Sequence, residues 1–274
     1  MKSSEALKPK QFKKPSGIIT ITTDFGYSDS FASEMKGIIL CIAPKAKLVD
    51  TTHLIEKHSI VHAAIVIDAI SASFPSGTVH LVVVDPGVGS ARRPIAIKAD
   101  KSYFVGPDNG VFSKLLLRVK KPVIHEISED KYVSTFDSST FYGRDVFAPV
   151  AAHLSKGLDI KKLGAQITDP VIIRFNQPVE DRHMIIGEIE YIDGFGNAVS
   201  NIKCNGTDFF EKLSDIYVDD IKASPSCCYS DAPEGTLSCL VNSSGCLEFF
   251  VNQYSVAKMF ELCTGSAVKL MKKY

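Results

Sequence analysis

Tryptophan is missing from the 274 residues, and so is any excess of charge: Lys plus Arg is 31 and Asp plus Glu is 31. A chain that grips nucleic acid through its phosphates carries a basic surplus, so no nucleic-acid partner is expected. No apolar run approaches the roughly 20 residues that cross a bilayer, which sets a membrane partner aside. Internal repeats and low-complexity tracts are absent too, and a hydrophobic fraction of 45% argues against disorder. The seven cysteines include no C-x-x-C pair, and six of them lie in the last third of the chain. The expectation is therefore no metal, and reduced thiols in a cytoplasmic protein. No P-loop, G-x-S-x-G elbow or H-E-x-x-H occurs. His58 and His62 stand four apart on one expected helix but have no third ligand.

What is present is alternation. Residues 1–16 read as a flexible basic tail, with Lys2, Lys8, Lys10, Lys13 and Lys14 against Glu5. Residues 17–170 read as an N-terminal α/β domain. Its expected strands are 18–22, 47–50, 78–84, 94–98, 103–105 and 123–127, and its expected helices are 30–42, 58–71, 111–119 and 145–154. Strands interleaved with helices predict a mainly parallel sheet covered on both faces. Residues 171–178 form a linker, with a strand-like stretch at 171–175. Residues 179–274 read as a smaller β-rich domain, with strands at 184–192, 198–202, 216–221, 236–240 and 246–251.

In such sheets ligands gather at the carboxyl ends of strands. Two of those ends are unusually polar. The first carries Asp24 and Asp29 around Gly26. The second runs from the apolar Leu81–Val84 straight into Asp85, followed by a glycine-rich loop and Arg92. Three further polar clusters are Thr140–Asp145, Asp193–Asn197 and Asn242–Gly245. Taken singly, each reads as a turn or a helix cap, and Asp85 with Arg92 reads as a loop-holding ion pair.

Together and in order, these stretches resemble one family, the S-adenosyl-L-methionine (SAM) hydroxide adenosyltransferases, relatives of the SAM-dependent fluorinase and chlorinase. The matching segments are ITTDFGYSDSFASEMKG (21–37), HLVVVDPGVGSARRPIAI (80–97), YFVGPDNGVF (103–112), TFYGRDVFAPVAAHL (140–154), IRFNQP (173–178), YIDGFGNAVSNI (191–202) and NSSGCLE (242–248). The resemblance implies an α/β N-terminal domain, a β-barrel-like C-terminal domain and a homotrimer that binds SAM between one subunit's N-terminal domain and a neighbour's C-terminal domain. It implies hydrolysis of SAM to adenosine and L-methionine by attack at the ribose C5′, with no cofactor. By motif position Asp24 would hold the ribose hydroxyls and Asp29 the methionine ammonium. Asp193 and Ser243 would also serve the methionine end, Phe195 and Asn197 the adenine, and Asn109 belongs to the same substrate-binding set.

Around the attacking water, hydrolytic members place an Asp, an Arg and a His. Asp85 and Arg92 match the first two, while Tyr142 stands where the His is expected. A phenol, with an ordinary pKa of ~10, is a poor base at neutral pH, which leaves Asp85 as the proton acceptor and Tyr142 to orient the water by hydrogen bonding. Halogenating relatives share the Tyr but carry an aromatic in place of Asp85. A carboxylate about 4 Å from a halide costs about 4 kcal/mol at an effective dielectric of about 20, so water ranks above halide. A binding protein without turnover is the third alternative. Ser244 stands where the fluorinase has an arginine, which leaves the methionine carboxylate without an obvious partner.

Overall fold

A computed structural model of the chain describes residues 14–134, 140–206 and 208–273. Up to residue 13, the expected tail lies outside the described residues. Ser16 is already attached to the fold: its N–H donates to the Gly77 carbonyl at 3.0 Å, and its hydroxyl lies 3.3 Å from Thr78 Oγ1. The chain divides into two compact units that meet at Ile173 and Arg174 in sequence.

The first unit is built on β1 (Ile18–Thr23), β2 (Lys47–Thr52), β3 (Val79–Val83), β4 (Pro94–Ala99), β5 (Ser102–Pro107), β6 (Val123–Glu126) and β7 (Gln166–Ile167). They form one sheet in the order β2-β1-β3-β5-β4-β6-β7. Strands β2, β1, β3 and β5 pair in parallel, β4 turns back against β5, and β6 turns again against β4, so the sheet is mainly parallel, as the alternation predicts. β3 is buried at every position because both sheet faces are covered, which is why all of it but His80 is apolar. On one face α1 (Phe31–Ile42) and α4 (Ala148–Ser155) pack together, and on the other α2 (Ile60–Ser71) packs with α3 (Ser113–Arg118). α1 buries Ala32, Met35 and Ile39, a spacing of three and four that makes one stripe.

Three expectations need correction here. α2 does not begin at His58. That residue sits at φ 67°, in the left-handed region, and Ser59 caps the helix by accepting from the His62 N–H. His58 and His62 therefore do not share a helix face. The stretch 171–175 is not a strand. Its N–H groups go to side chains instead, Val171 to Asp108 Oδ1 at 2.8 Å and Ile173 to Ser113 Oγ at 2.9 Å. Asp145 does not cap α4, because its carboxylate is taken by Arg144 Nε at 2.7 Å and Nη2 at 3.1 Å.

The second unit contains β8 (Val179–Glu180), β9 (Met184–Ile192), β10 (Ala198–Lys203), β11 (Leu213–Val218), β12 (Ile221–Lys222), β13 (Ser224–Pro225), β14 (Ser238–Val241), β15 (Cys246–Phe250) and β16 (Ala267–Lys272). The sheet order is β12-β11-β16-β9-β10-β15-β14-β13, with β8 beside β9. Its two edge strands, β12 and β13, are separated in the chain by Ala223 alone, so the sheet curls into a nearly closed barrel around Ile189, Ile216, Leu247 and Phe249. The single strand expected over 216–221 is instead a hairpin. Asp219 and Asp220 both take positive φ, 45° and 64°, and turn Val218 back onto Ile221. β16, lodged between β11 and β9, is absent from the sequence reading. Its Ala, Lys, Leu and Met residues favour helix locally, and pairing on both edges overrides that preference.

Candidate active site

Strands β1 and β3 are parallel neighbours in register, with Thr23 opposite Val83. That register brings the loops starting at Asp24 and Asp85 to one edge of the sheet. The segment leading into α4 comes to the same edge, and a cleft of about 210 Å³ opens among them. Asp24, Asp29, Asp85 and Tyr142 line it together, out of three separate sequence clusters.

Asp85 is gripped from one side. Arg92 Nε donates to its Oδ1 at 2.8 Å and Nη2 donates to its Oδ2. Both side chains are withdrawn from solvent, 4% exposed for Asp85 and 8% for Arg92. A carboxylate offers about four lone-pair sites, so two remain after this fork is satisfied. The Asp24 side chain is also buried. Its Oδ2 accepts the His58 N–H at 2.9 Å, and its own carbonyl accepts Lys57 Nζ at 2.6 Å. Its other carboxylate oxygen, Oδ1, has no partner among the described residues. Asp29 is exposed at the cleft rim and accepts from the Ser28 hydroxyl at 3.1 Å.

The floor is aromatic. Phe25, Phe31 and Phe141 meet edge to face at centroid distances of 5.3–5.8 Å. Tyr142 follows Phe141 and precedes a π-helical turn, Gly143–Phe147, a local widening that often re-aims a side chain at a functional site. Gly143 has no room for a side chain, since a Cβ there would lie 2.9 Å from the Phe141 ring and 3.2 Å from Met35 Sδ. Arg144 fastens the turn to α1 through Glu34 Oε2 at 3.0 Å. A hydrogen bond from Ser30, then that from Arg144, holds the Glu34 carboxyl below its ordinary range.

Asn109 does not line this cleft. Its Nδ2 donates to the Val84 carbonyl at 2.9 Å and its Oδ1 accepts the Val111 N–H at 3.2 Å, which ties the loop after β5 to the end of β3 just before Asp85.

The second unit has a cleft of its own, about 400 Å³, and Asp193, Phe195 and Asn197 line it. Asp193 organises the β9–β10 turn: Oδ1 accepts the Phe195 and Asn197 N–H groups at 2.9 and 2.8 Å, and Oδ2 accepts Asn197 Nδ2 at 3.1 Å. Phe195 is 86% exposed, an unusual state for a phenyl ring. Ser243 does not line the cleft; it occupies the exposed β14–β15 turn. Beneath that turn the buried Glu248 accepts Tyr229 Oη at 2.6 Å and Asn242 Nδ2 at 3.0 Å. Burial, then the bond to Glu248, pushes the Tyr229 hydroxyl upward.

Sequence reasoning missed Lys57, His58 and Phe141 in the first cleft and Tyr229, Gln253 and Tyr254 in the second. An aromatic beside a polar loop was the available signal for Phe141; nothing local marks the others.

A family model described as the SAM hydroxide adenosyltransferase N-terminal domain matches residues 19–164, and one described as its C-terminal domain matches residues 187–269. A protein named (R)-S-adenosyl-L-methionine hydrolase from Methanocaldococcus jannaschii is 35% identical, over 84% of this chain and 87% of its own. One of the same name from Salinispora arenicola is 32% identical, over 92% of this chain and 97% of its own. Proteins named fluorinase match at 25–26% identity. Among solved structures, an uncharacterized conserved protein from Thermotoga maritima superposes with a TM-score of 0.84 at 32% identity, covering 92% of this chain and 99% of that one.

Proposed function

The chain belongs to the SAM hydroxide adenosyltransferase family, and on that premise we propose that it hydrolyses SAM to adenosine and L-methionine. The observation that carries the reading is the buried Asp85–Arg92 fork at the end of β3, opening into the cleft that Asp24 shares. In the reaction the C5′–S bond breaks and its electron pair leaves with sulfur as a neutral thioether. A C5′–O bond forms from water, and the water proton passes to Asp85 and then to solvent. The sulfonium is its own activating group, so no cofactor is called for. The protein's task is alignment and exclusion of competing solvent.

The residue roles follow the chemistry. The Asp24 carboxylate suits a ribose diol, and the exposed Asp29 suits an ammonium. Asn197 spends one N–H on Asp193, which leaves its Oδ1 to accept from the exocyclic amine of a purine. The exposed Phe195 ring would stack on the base. Asp193 acts mainly by shaping that turn, with Ser243 near the methionine end. We further propose a homotrimer in which the second unit of a neighbouring subunit completes each site. A cytoplasmic location belongs to the same reading, supported by seven unpaired cysteines.

Halide remains the second nucleophile to weigh. Arg92 compensates the charge of Asp85, so the bare-charge cost of about 4 kcal/mol is an upper bound. A second argument favours water: the fork with Arg92 leaves lone pairs free on Asp85, and these accept a water proton and not an anion.

The test is to incubate pure protein with SAM in ¹⁸O-water and follow products by chromatography and mass. Adenosine carrying the label, in equal amount with methionine, is expected. The (R) form named for the relatives is to be tried beside the (S) form. No adenosine above the uncatalysed background overturns the reading. Chloride-dependent 5′-chloro-5′-deoxyadenosine would replace it with the halogenase, and tight binding without product would replace it with a binding protein.

A further inference from the structure

Tyr142 stands at the position where a histidine is expected, and the geometry around it is informative. The Arg92 Cζ lies 4.8 Å from the centroid of the Tyr142 ring and 5.3 Å from that of Phe147. The two rings are 6.4 Å apart and inclined at 69°. Arg92 Nη1, the one guanidinium nitrogen that Asp85 does not take, is buried and has no hydrogen-bond partner. The Tyr142 hydroxyl makes no hydrogen bond among the described residues. The guanidinium is thus forked to a carboxylate along one edge and lies against the Tyr142 and Phe147 rings. In so dry a place a cation over a π face is held more strongly than at an exposed site.

We propose that Tyr142 is a positioning residue that acts through its ring and not through its hydroxyl: it holds the Arg92 guanidinium, and through it the Asp85 carboxylate, in the plane that faces the cleft. The π turn is what sets the ring there. Phe141 O accepts both the Arg144 and the Asp145 N–H groups, at 3.1 and 3.0 Å, and the crowded Gly143 admits no other residue beside it. On this account the residue needed at 142 is any flat π system, and loss of an imidazole base there does not cost the site its alignment. The inference rests on the hydrolase reading for its kinetic consequence but not for its geometry.

The test compares Tyr142→Phe, which keeps the ring, with Tyr142→Leu, which keeps much of the volume but no π face. Thermal melts by circular dichroism establish folding, and Tyr142→Met replaces the Leu variant if that one does not fold. For Tyr142→Phe, kcat is expected within about threefold of the parent, with an overlapping pH profile of kcat/KM. For Tyr142→Leu, kcat is expected to fall by about tenfold or more, with KM for SAM moved less than threefold. Independently of turnover, the Arg92 Nε–H proton resonance is expected to be ring-current shifted in the parent and the Phe variant and to move in the Leu variant. A Phe variant that falls as far as the Leu variant, or that loses a limb of the pH profile, overturns the inference. So does an Arg92 resonance that ignores the Leu substitution. Failure of the hydrolase reading looks different: no adenosine from the parent chain, with the resonance pattern intact.

Discussion

Asp85→Asn removes one charge and almost no volume, and its consequences separate stability from catalysis. The partner it leaves behind, Arg92, has a side chain only 8% exposed and two donors committed to Asp85. Removing one partner of a buried pair costs about 3–5 kcal/mol, because the other charge stays desolvated and uncompensated. Asparagine retains one acceptor, so the lower end, about 3 kcal/mol, is expected. Adding Arg92→Met removes the orphaned cation and gives Phe147 and Tyr142 an apolar neighbour of similar length. The double variant is therefore expected to return to within about 1 kcal/mol of the parent. Activity behaves otherwise. Loss of a general base costs about 10²–10⁴ in rate, so Asp85→Asn is expected to lose at least about 100-fold in kcat, and the double variant to stay as inactive. Because the chain has no tryptophan, urea unfolding followed by far-ultraviolet circular dichroism is the stability assay, with adenosine release as the activity assay. A single variant that keeps kcat within about threefold, or a double variant that regains it, would refute the assignment of Asp85 as proton acceptor.

Other outcomes follow from other parts of the molecule. Burial draws the His80 imidazole from 6.5 down to about 4 in the folded chain, so between those values the unfolded chain takes up the proton and the folded chain does not. Stability is full above about pH 6.5 and is lost as pH falls towards 4, by up to about 3 kcal/mol. Urea midpoints for the parent and His80→Phe should show that part of the slope flattened in the variant, and an unchanged slope would remove His80 from the account. Phe195→Ala, at a site 86% exposed, is expected to move stability by less than about 0.5 kcal/mol. The same change should raise KM for SAM by about tenfold through lost base stacking, and an unchanged KM would remove Phe195 from the adenine site. Arg93→Met strands the Asp108 carboxylate, whose side chain is 2% exposed and accepts Arg93 Nε at 3.0 Å and Nη2 at 2.8 Å. About 3 kcal/mol is expected to go, partly recovered by adding Asp108→Asn, and a loss below about 1 kcal/mol in urea would show that Val171 N–H alone satisfies Asp108.

Much of the molecule was legible from local pattern. β3 announces itself as Leu81–Val84 ending in a carboxylate, because a strand covered on both faces must be apolar until it leaves the sheet. β9 was readable to the residue because Ile185, Ile186, Ile189, Tyr191 and Ile192 make a β-prone stretch that ends at the Asp193-Gly194 turn. The order of strands and helices up to residue 163 was sufficient for the class of fold. Errors fell where a few residues carry a conformation that periodicity does not express. His58 at positive φ delays α2 by two residues, and Asp219-Asp220 at positive φ turns one expected strand into two. The sequence also singled out Asp24, Asp29, Asp85 and Tyr142, which the fold gathers in one cleft, but it could not show that Asn109 is hydrogen-bonded into the loop after β5.

What the amino-acid order determines by itself is what acts over a few residues: which stretches can bury both faces, where the chain must leave a sheet, and which polar groups stand at those exits. What only the tertiary structure decides is who meets whom across the chain. The parallel register of β1 on β3 puts Asp24 beside the Asp85 loop, and the π turn before α4 lays Tyr142 against a guanidinium fifty positions earlier. β16 becomes a central strand, because hydrogen-bonded neighbours on both edges outweigh the fraction of a kcal/mol per residue that favours helix. Such pairings depend on the simultaneous packing of distant segments, a quantity that no window of sequence contains.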